Sequence, residues 1–178
     1  MDQFTLTVAA AVTAAAVLAL LPYILFPGKD APFVPLEPEA VEKALDLAEV
    51  GPGDVFYDLG SGDGRLLAAA ARRGARAVGI ELSRVRAWYS RALALLSGRA
   101  AAITVRREDL FKADLSEATV VHLYLLAQTH ERLKTKLFKE LPKGARIIAT
   151  GFPLPGLEPE KEIPGCMKYG SIRLYRAD

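Results

Sequence analysis

The residues best suited to chemistry lie in a glycine-rich loop, DLGSGDG at 58–64, that also carries two carboxylates. Its glycines follow the spacing G-x-G-x-G, whereas a dinucleotide-binding loop has G-x-G-x-x-G, and Arg65 stands where the third of those glycines would fall. No Gly-Lys-Ser/Thr follows, so the loop is not a P-loop. Asp58 and Asp63 would repel a phosphate and attract a cation. The loop therefore favours a ligand with an amino group and a sulfonium, and its candidate contacts are Asp58, Gly60, Ser61, Gly62, Asp63 and Gly64.

Two more acidic groups follow later apolar runs and complete a candidate nucleoside site. Glu81 stands 17 residues beyond Gly64, where a carboxylate can accept both hydrogen bonds of a ribose diol, an arrangement shared with NAD enzymes. Asp109 follows the next apolar run and can accept a hydrogen bond from the exocyclic amine of adenine, while Leu110 packs near the ring. An adenosyl ligand with a sulfonium and an amino group is S-adenosylmethionine, which we expect as the cofactor.

Short apolar runs that alternate with longer amphipathic ones must position these groups. The predicted strands are 54–59, 76–80, 102–106, 119–125, 145–150, 160–163 and 169–176, and the predicted helices are 38–49, 64–73, 83–97 and 128–140. This alternation indicates an α/β fold, a Rossmann-like, doubly wound, mostly parallel seven-stranded sheet. Pro164 and Gly165 separate the last two strands, which should form a C-terminal antiparallel hairpin. Trp88 and Tyr89 are expected to pack in the core or beside the cofactor.

The N-terminus has a different composition from the rest of the chain. Residues 4–26 carry no charge, and a helix of these 23 residues would rise roughly 34 Å, enough for a hydrocarbon core of about 30 Å. We expect a membrane anchor at 1–28, a single transmembrane helix, then a linker at 29–38 and the α/β domain that binds the cofactor at 39–178. Lys29 is the first flanking cation, so the positive-inside rule favours a cytoplasmic catalytic domain.

Composition argues against several other classes of site. The 23 Lys and Arg nearly balance the 21 Asp and Glu, so no basic footprint indicates nucleic acid. Cys166 is the single cysteine, and no Cys/His cluster supplies the ligands of a zinc site, so no metal is expected. His122 and His130 are expected to be structural or surface residues.

Several segments together resemble the class I, seven-stranded S-adenosylmethionine-dependent methyltransferases. More narrowly, the chain is similar to a small protein-lysine methyltransferase family that includes an archaeal broad-specificity enzyme and mitochondrial enzymes acting on the ATP synthase c subunit and the adenine nucleotide translocase. The segments that carry the resemblance are PFVP at 32–35, DLGSGDGR at 58–65, VGIEL at 78–82, REDLFK at 107–112, HLYLLAQ at 122–128, LPKGARI at 141–147 and GFPLPG at 151–156. The resemblance implies S-adenosylmethionine as methyl donor and a protein lysine as acceptor, with membrane-associated proteins among the expected substrates.

A lysine acceptor must lose its proton before it can attack, and a desolvating pocket with aromatic walls lowers its pKa from about 10.4. Tyr124 and Phe33 are the candidate catalytic residues, with simple packing as the alternative role for each. The chain has no Asn/Asp-Pro-Pro-Tyr/Phe motif of the kind that goes with adenine or glutamine N-methylation. Two other functions stay open: methylation of a small molecule or lipid, and a non-catalytic, S-adenosylmethionine-binding membrane scaffold.

Overall fold

The computed structural model describes residues 2–3, 5–10, 12–15, 33–167 and 170–178, with the side chains of Cys166 and Met167 left out. Residues 5–10 and 12–15 are helical, and most of the predicted anchor at 1–28 lies outside the described residues. Each helix in these described ranges is too short or too polar to cross a bilayer.

One seven-stranded sheet organises the chain, in the order β3-β2-β1-β4-β5-β7-β6. Its strands are β1 (Val55–Leu59), β2 (Arg76–Ile80), β3 (Ile103–Arg106), β4 (Val120–Leu123), β5 (Arg146–Gly151), β6 (Lys161–Met167) and β7 (Gly170–Arg176). The first five strands are parallel, and β7 runs antiparallel to β5 and β6. The predicted mostly parallel sheet with a C-terminal antiparallel hairpin is therefore confirmed.

Four helices flank this sheet in the described part of the chain: α1 (Pro38–Leu47), α2 (Arg65–Arg72), α3 (Arg84–Leu96) and α4 (Ala127–Glu140). Pro38 opens α1, where a proline's missing N–H costs nothing. The Ser83 hydroxyl caps α3 by accepting a hydrogen bond from the Arg86 amide at 3.4 Å. Gly64, with φ at +82°, turns the chain directly from the glycine loop into α2.

The two faces of the sheet carry separate apolar clusters. Phe56 packs with α1, α2 and α3 on one face, while its neighbour Tyr57 points to the other face and packs with Leu133 and Leu137 of α4. The chain between β3 and β4 and between β5 and β6 forms no helix. The second face is consequently covered by one helix and by loops.

Some predicted details were wrong. Pro164 and Gly165 lie inside β6, where the pairing with β7 shifts register between Ile163 and Met167, so they form an irregularity in the strand and not a turn. Trp88 is 69% exposed and Tyr89 lies at the surface as well, so neither ring packs in the core. The inner side of α3 instead buries Arg86 and the small residues Ala87, Ser90 and Ala94, and Ser90 is where the helix approaches the glycine loop closely.

Candidate functional site

A pocket opens at the carboxyl ends of β1, β2 and β4, and it contains about 850 Å³ of empty space including its solvent-filled mouth. Parallel strands place their carboxyl ends on one edge of the sheet, which explains why groups far apart in sequence meet here. The predicted residues that line the pocket are Phe33, Asp58, Gly60, Ser61, Gly62, Asp63, Glu81, Asp109, Leu110 and Tyr124. Gly64 is not part of the lining but begins the helix beneath it.

The glycine loop adopts a conformation that side chains would disturb. Gly60 and Gly62 have φ angles of +86° and +55°, in the left-handed region. A Cβ on Gly62 would lie 2.4 Å from the Phe33 ring, and a Cβ on Gly64 would lie 2.2 Å from the Ser90 hydroxyl. The loop is therefore held between the segment before α1 and the inner face of α3.

Asp58 belongs to a buried chain of hydrogen bonds that crosses three adjacent strands. Asp58 on β1 faces His122 on β4, and the His122 Nδ1 lies 2.8 Å from its Oδ1. The His122 Nε2 lies 3.0 Å from the Thr150 hydroxyl on β5, and all three side chains are buried. Because a neutral imidazole has one donor and one acceptor nitrogen, this arrangement suits a ring that donates to Asp58 and accepts from Thr150.

Glu81 is fixed at the end of β2 by donors from its own surroundings. Its Oε2 accepts a hydrogen bond from the Gly62 amide at 3.0 Å, and its Oε1 accepts one from the Ser83 amide at 2.8 Å. The Arg86 Nε lies 3.2 Å from the same Oε1, and both side chains are buried. A carboxylate has about four lone-pair sites, so Glu81 retains acceptor capacity toward the pocket.

Asp63 is clamped by an arginine. Arg65 donates to both oxygens of Asp63 at 2.5–3.1 Å, and its Nη1 donates to the Leu36 carbonyl at 2.5 Å. This clamp ties the segment that carries Phe33 to the glycine loop. Asp63 therefore shapes the loop through Arg65, in addition to any contact it makes with a ligand.

The remaining predicted residues lie around the pocket rim. Asp109 accepts a hydrogen bond from the Phe111 amide at 3.0 Å, which fixes the turn after β3 and leaves Leu110 beside it on the pocket wall. Tyr124 follows β4 directly, and its ring lies against Gly151, where a Cβ would approach within 3.1 Å. Phe33 lies over Gly62, with the Arg86 guanidinium 5.6 Å from its ring centre.

Burial affects the ionisation of one histidine outside the pocket lining. His130 on α4 is fully buried, and its Nδ1 lies 3.3 Å from the Pro153 carbonyl. Burial lowers the pKa of His130 below 6.5, against the opposing effect of that carbonyl and of the Phe152 backbone. The ring is therefore neutral at pH 7.

The residues present fit S-adenosylmethionine. The loop glycines leave a cradle that a Cβ on Gly62 would begin to fill, and the Ser61 hydroxyl is buried there with no hydrogen-bond partner within the described residues. The acidic side chains suit a ligand rich in donors and positive charge, and the two arginines of the lining, Arg65 and Arg86, are paired with Asp63 and Glu81. Asp58 would hold the amino group, Glu81 the ribose, and Asp109 and Leu110 the adenine.

The sequence did not reveal the residues that hold other site residues in place. Arg65 was noted only as a departure from the dinucleotide spacing, and Arg86 and Thr150 were not singled out. A signal for Arg65 was present, because an arginine two residues after an aspartate at a helix start can fold back onto it. No local signal identifies His122 as the partner of Asp58, since their contact depends on strand register.

Comparisons with known proteins agree with this site. The family model described as the ANTKMT methyltransferase domain matches residues 58–161. A protein-lysine N-methyltransferase of Saccharolobus islandicus is 37% identical over 134 residues, 74% of this chain and 83% of that protein. The human lysine N-methyltransferase named for the ATP synthase c subunit is 36% identical over 129 residues, 72% of this chain and 55% of that protein. This chain thus spans most of the archaeal relative and about half of the human one.

A solved structure is similar as well. The crystal structure of an RNA methyltransferase from Salinibacter ruber in complex with S-adenosyl-L-homocysteine has a TM-score of 0.78 and 38% identity to this chain, covering 81% of this chain and 94% of that one. The fold, the glycine loop and the relatives therefore all indicate S-adenosylmethionine as the methyl donor. The predicted cofactor and family are confirmed. This chain belongs to the ANTKMT/protein-lysine methyltransferase family of class I S-adenosylmethionine-dependent methyltransferases.

Proposed function

We propose that this methyltransferase transfers a methyl group from S-adenosylmethionine to lysine side chains of a protein. The observation that carries the proposal is that two aromatic side chains, Phe33 and Tyr124, line the same pocket as the acidic cofactor groups. The archaeal and human relatives are both named lysine N-methyltransferases, which supports the same acceptor here.

Some pocket residues hold the methyl donor, and others exclude water from the lysine acceptor. When bound, S-adenosylmethionine supplies an electrophilic methyl group. Asp58, Glu81 and Asp109 hold and orient the donor, which converts an encounter of two molecules into a positioned, in-line reaction. Phe33 and Tyr124 exclude water from the acceptor, so the ammonium of the incoming lysine loses its proton more readily. Aromatic faces also tolerate the cation and the methylated product.

The loops that follow β3 and β5 form no helical cover in the described part of the chain, which suits a macromolecular acceptor. Neither the β3–β4 connection nor the β5–β6 connection forms a helix that would enclose a small substrate. A lysine side chain is long enough to enter a pocket while the rest of its protein stays outside. This arrangement favours a protein over a small molecule.

We further propose the domain organisation that the sequence predicts, with an anchor at 1–28, a linker at 29–38 and the catalytic domain at 39–178 on the cytoplasmic side. The uncharged run of 4–26 supports the anchor, and Lys29 supports the orientation. The human relative is named for the c subunit of ATP synthase, which favours a membrane-associated protein as acceptor here.

The test is incubation of the full chain with methyl-labelled cofactor and a membrane and lysate fraction, followed by mass spectrometry at single residues. Label on protein lysine is the expected result. Label on RNA would indicate that this chain methylates RNA, as the name of the Salinibacter ruber protein says of that protein. Label on lipid or metabolites would favour the small-molecule alternative. Cofactor binding without any transfer would leave the scaffold function.

A further inference from the structure

The outer face of α3 is apolar where a surface helix is normally polar. Trp88, Leu95 and Leu96 are 69%, 71% and 85% exposed, and Tyr89 lies beside them at the surface. The inner face of the same helix buries Arg86, Ala87, Ser90 and Ala94. Large apolar side chains on a surface helix usually face the core. This polarity is inverted, and the outer residues need a partner other than the core of this chain.

The surroundings of this face are basic. Residues 82–107 contain six arginines and no Asp, Glu or Lys, in a chain whose formal net charge is only +2, so the rest of the chain is net negative. Within the segment, Arg86 pairs with Glu81 and Arg106 with Glu117. The exposed arginines are Arg84, Arg91, Arg99 and Arg107. We call the four exposed apolar side chains and these four arginines the α3 face.

The α3 face also borders the candidate active site. Leu82 lines the pocket and is 49% exposed, and Ser83 after it caps α3. The apolar residues therefore extend from the mouth of the pocket along the helix. Whatever binds the α3 face therefore lies next to the pocket mouth, on the side of Glu81.

We propose that the α3 face docks on the surface of an anionic lipid bilayer. Trp and Tyr favour the headgroup level of a membrane, leucines enter its outer hydrocarbon, and arginines are attracted to anionic headgroups. The uncharged run of 4–26 favours a bilayer over RNA or a second protein, because it places the domain beside one. Docking places the pocket mouth beside the membrane surface, so lysines near that surface are the favoured acceptors.

The inference builds on the proposed membrane attachment, but its test reads the environment of α3 itself. Trp88 is the single tryptophan of the chain, so its fluorescence reports this face alone. The full chain is mixed with vesicles of phosphatidylcholine, or of phosphatidylcholine with phosphatidylglycerol. Anionic vesicles should shift Trp88 emission to shorter wavelength, protect it from iodide and allow quenching by lipids brominated near the headgroup. Flotation of the same samples shows separately whether the chain is attached.

A matched pair of variants tests the role of charge. Arg84→Gln with Arg99→Gln removes two cations from the α3 face, and Lys139→Gln with Lys143→Gln removes two exposed cations on and just after α4, which covers the opposite face of the sheet. At about 1 kcal/mol for each cation near an anionic surface, the first pair should lower the ratio of docked to undocked protein about thirty-fold. The second pair should leave the ratio unchanged.

Other outcomes overturn the proposal in distinguishable ways. A chain that floats with vesicles while Trp88 stays open to iodide is attached but not docked. A chain that neither floats nor protects Trp88 contradicts both attachment and docking, and protection with flotation on anionic vesicles only would support docking without an anchor. Protection by single-stranded RNA alone, or by raised protein concentration alone, would assign the α3 face to RNA or to a second copy of the chain.

Discussion

Replacing His122 with leucine should leave the Asp58 carboxylate buried without its hydrogen-bond donor. The two side chains meet at 2.8 Å between neighbouring strands, and both are buried. Leaving a buried acceptor without its hydrogen-bond donor costs about 1–3 kcal/mol, because the acceptor has already lost its contact with water. We therefore expect the free energy of unfolding of His122→Leu to fall by about 1–3 kcal/mol.

The same change should weaken cofactor binding, because Asp58 lines the pocket and is the proposed partner of the donor's amino group. A misplaced charged hydrogen bond is worth about 1.5–3 kcal/mol, which corresponds to a dissociation constant about 10- to 100-fold higher. Calorimetric titration of S-adenosylmethionine into the full chain in detergent measures this dissociation constant. Denaturant unfolding in the same detergent measures the free energy of unfolding.

Two variants separate positioning from general damage. His122→Asn keeps a side-chain N–H near the place of Nδ1 and loses the contact of Nε2 with Thr150, so it should recover most of the cofactor affinity. His130→Asn alters the other buried histidine, which has no hydrogen bond to Asp58, and should leave the affinity unchanged. The reasoning is refuted if His122→Leu binds the cofactor as the unchanged protein does, or if His130→Asn weakens it equally.

Three other measurements test the site. Gly62→Ala places a methyl group 2.4 Å from the Phe33 ring at a φ of +55°, so cofactor affinity should fall. Adding Phe33→Ala removes the clash but not the backbone strain, so it should recover only the part of the affinity that the clash costs. Losses that simply add in the double variant would contradict this reasoning. Tyr124→Phe should lower the turnover number more than the cofactor affinity, and an unchanged rate removes Tyr124 from the mechanism. Burial lowers the pKa of His130, so stability is full above pH 6.5 and declines below it, by at most about 1.4 kcal/mol per pH unit; His130→Gln should flatten this dependence, and an equal slope would exclude His130 as its source.

The fold and the position of the site follow from local patterns. Apolar runs fixed the order of strands, and parallel strands bring their carboxyl ends together, so Asp58, Glu81 and Asp109 were predicted at one place and lie around one pocket. The hairpin was predicted, but Pro164 and Gly165 were misread as a turn because a register irregularity leaves the same local signature.

What the sequence could not supply are contacts that depend on register and on close approach. Asp58 meets His122 only because β1 and β4 pair with those two residues opposite each other. Glu81 was predicted as the acceptor for a ribose diol, but its hydrogen bonds from the amides of Gly62 and Ser83 were not predicted. Such pairings arise from residues brought together by the fold, and local sequence patterns carry no record of them.

The glycine loop also helps to explain why large apolar side chains are missing from the inner face of α3. Gly64 lies so close to α3 that a Cβ would come within 2.2 Å of the Ser90 hydroxyl, so the helix needs a small side chain at that position. This constraint accounts for Ser90 on the inner face, which also buries Ala87 and Ala94. It does not require Trp88 or Leu96 on the outside, where polar residues would satisfy the same packing and dissolve more readily. Because packing leaves the outer residues unexplained, their selection points to a contact beyond this chain, and the arginines around them favour an anionic surface.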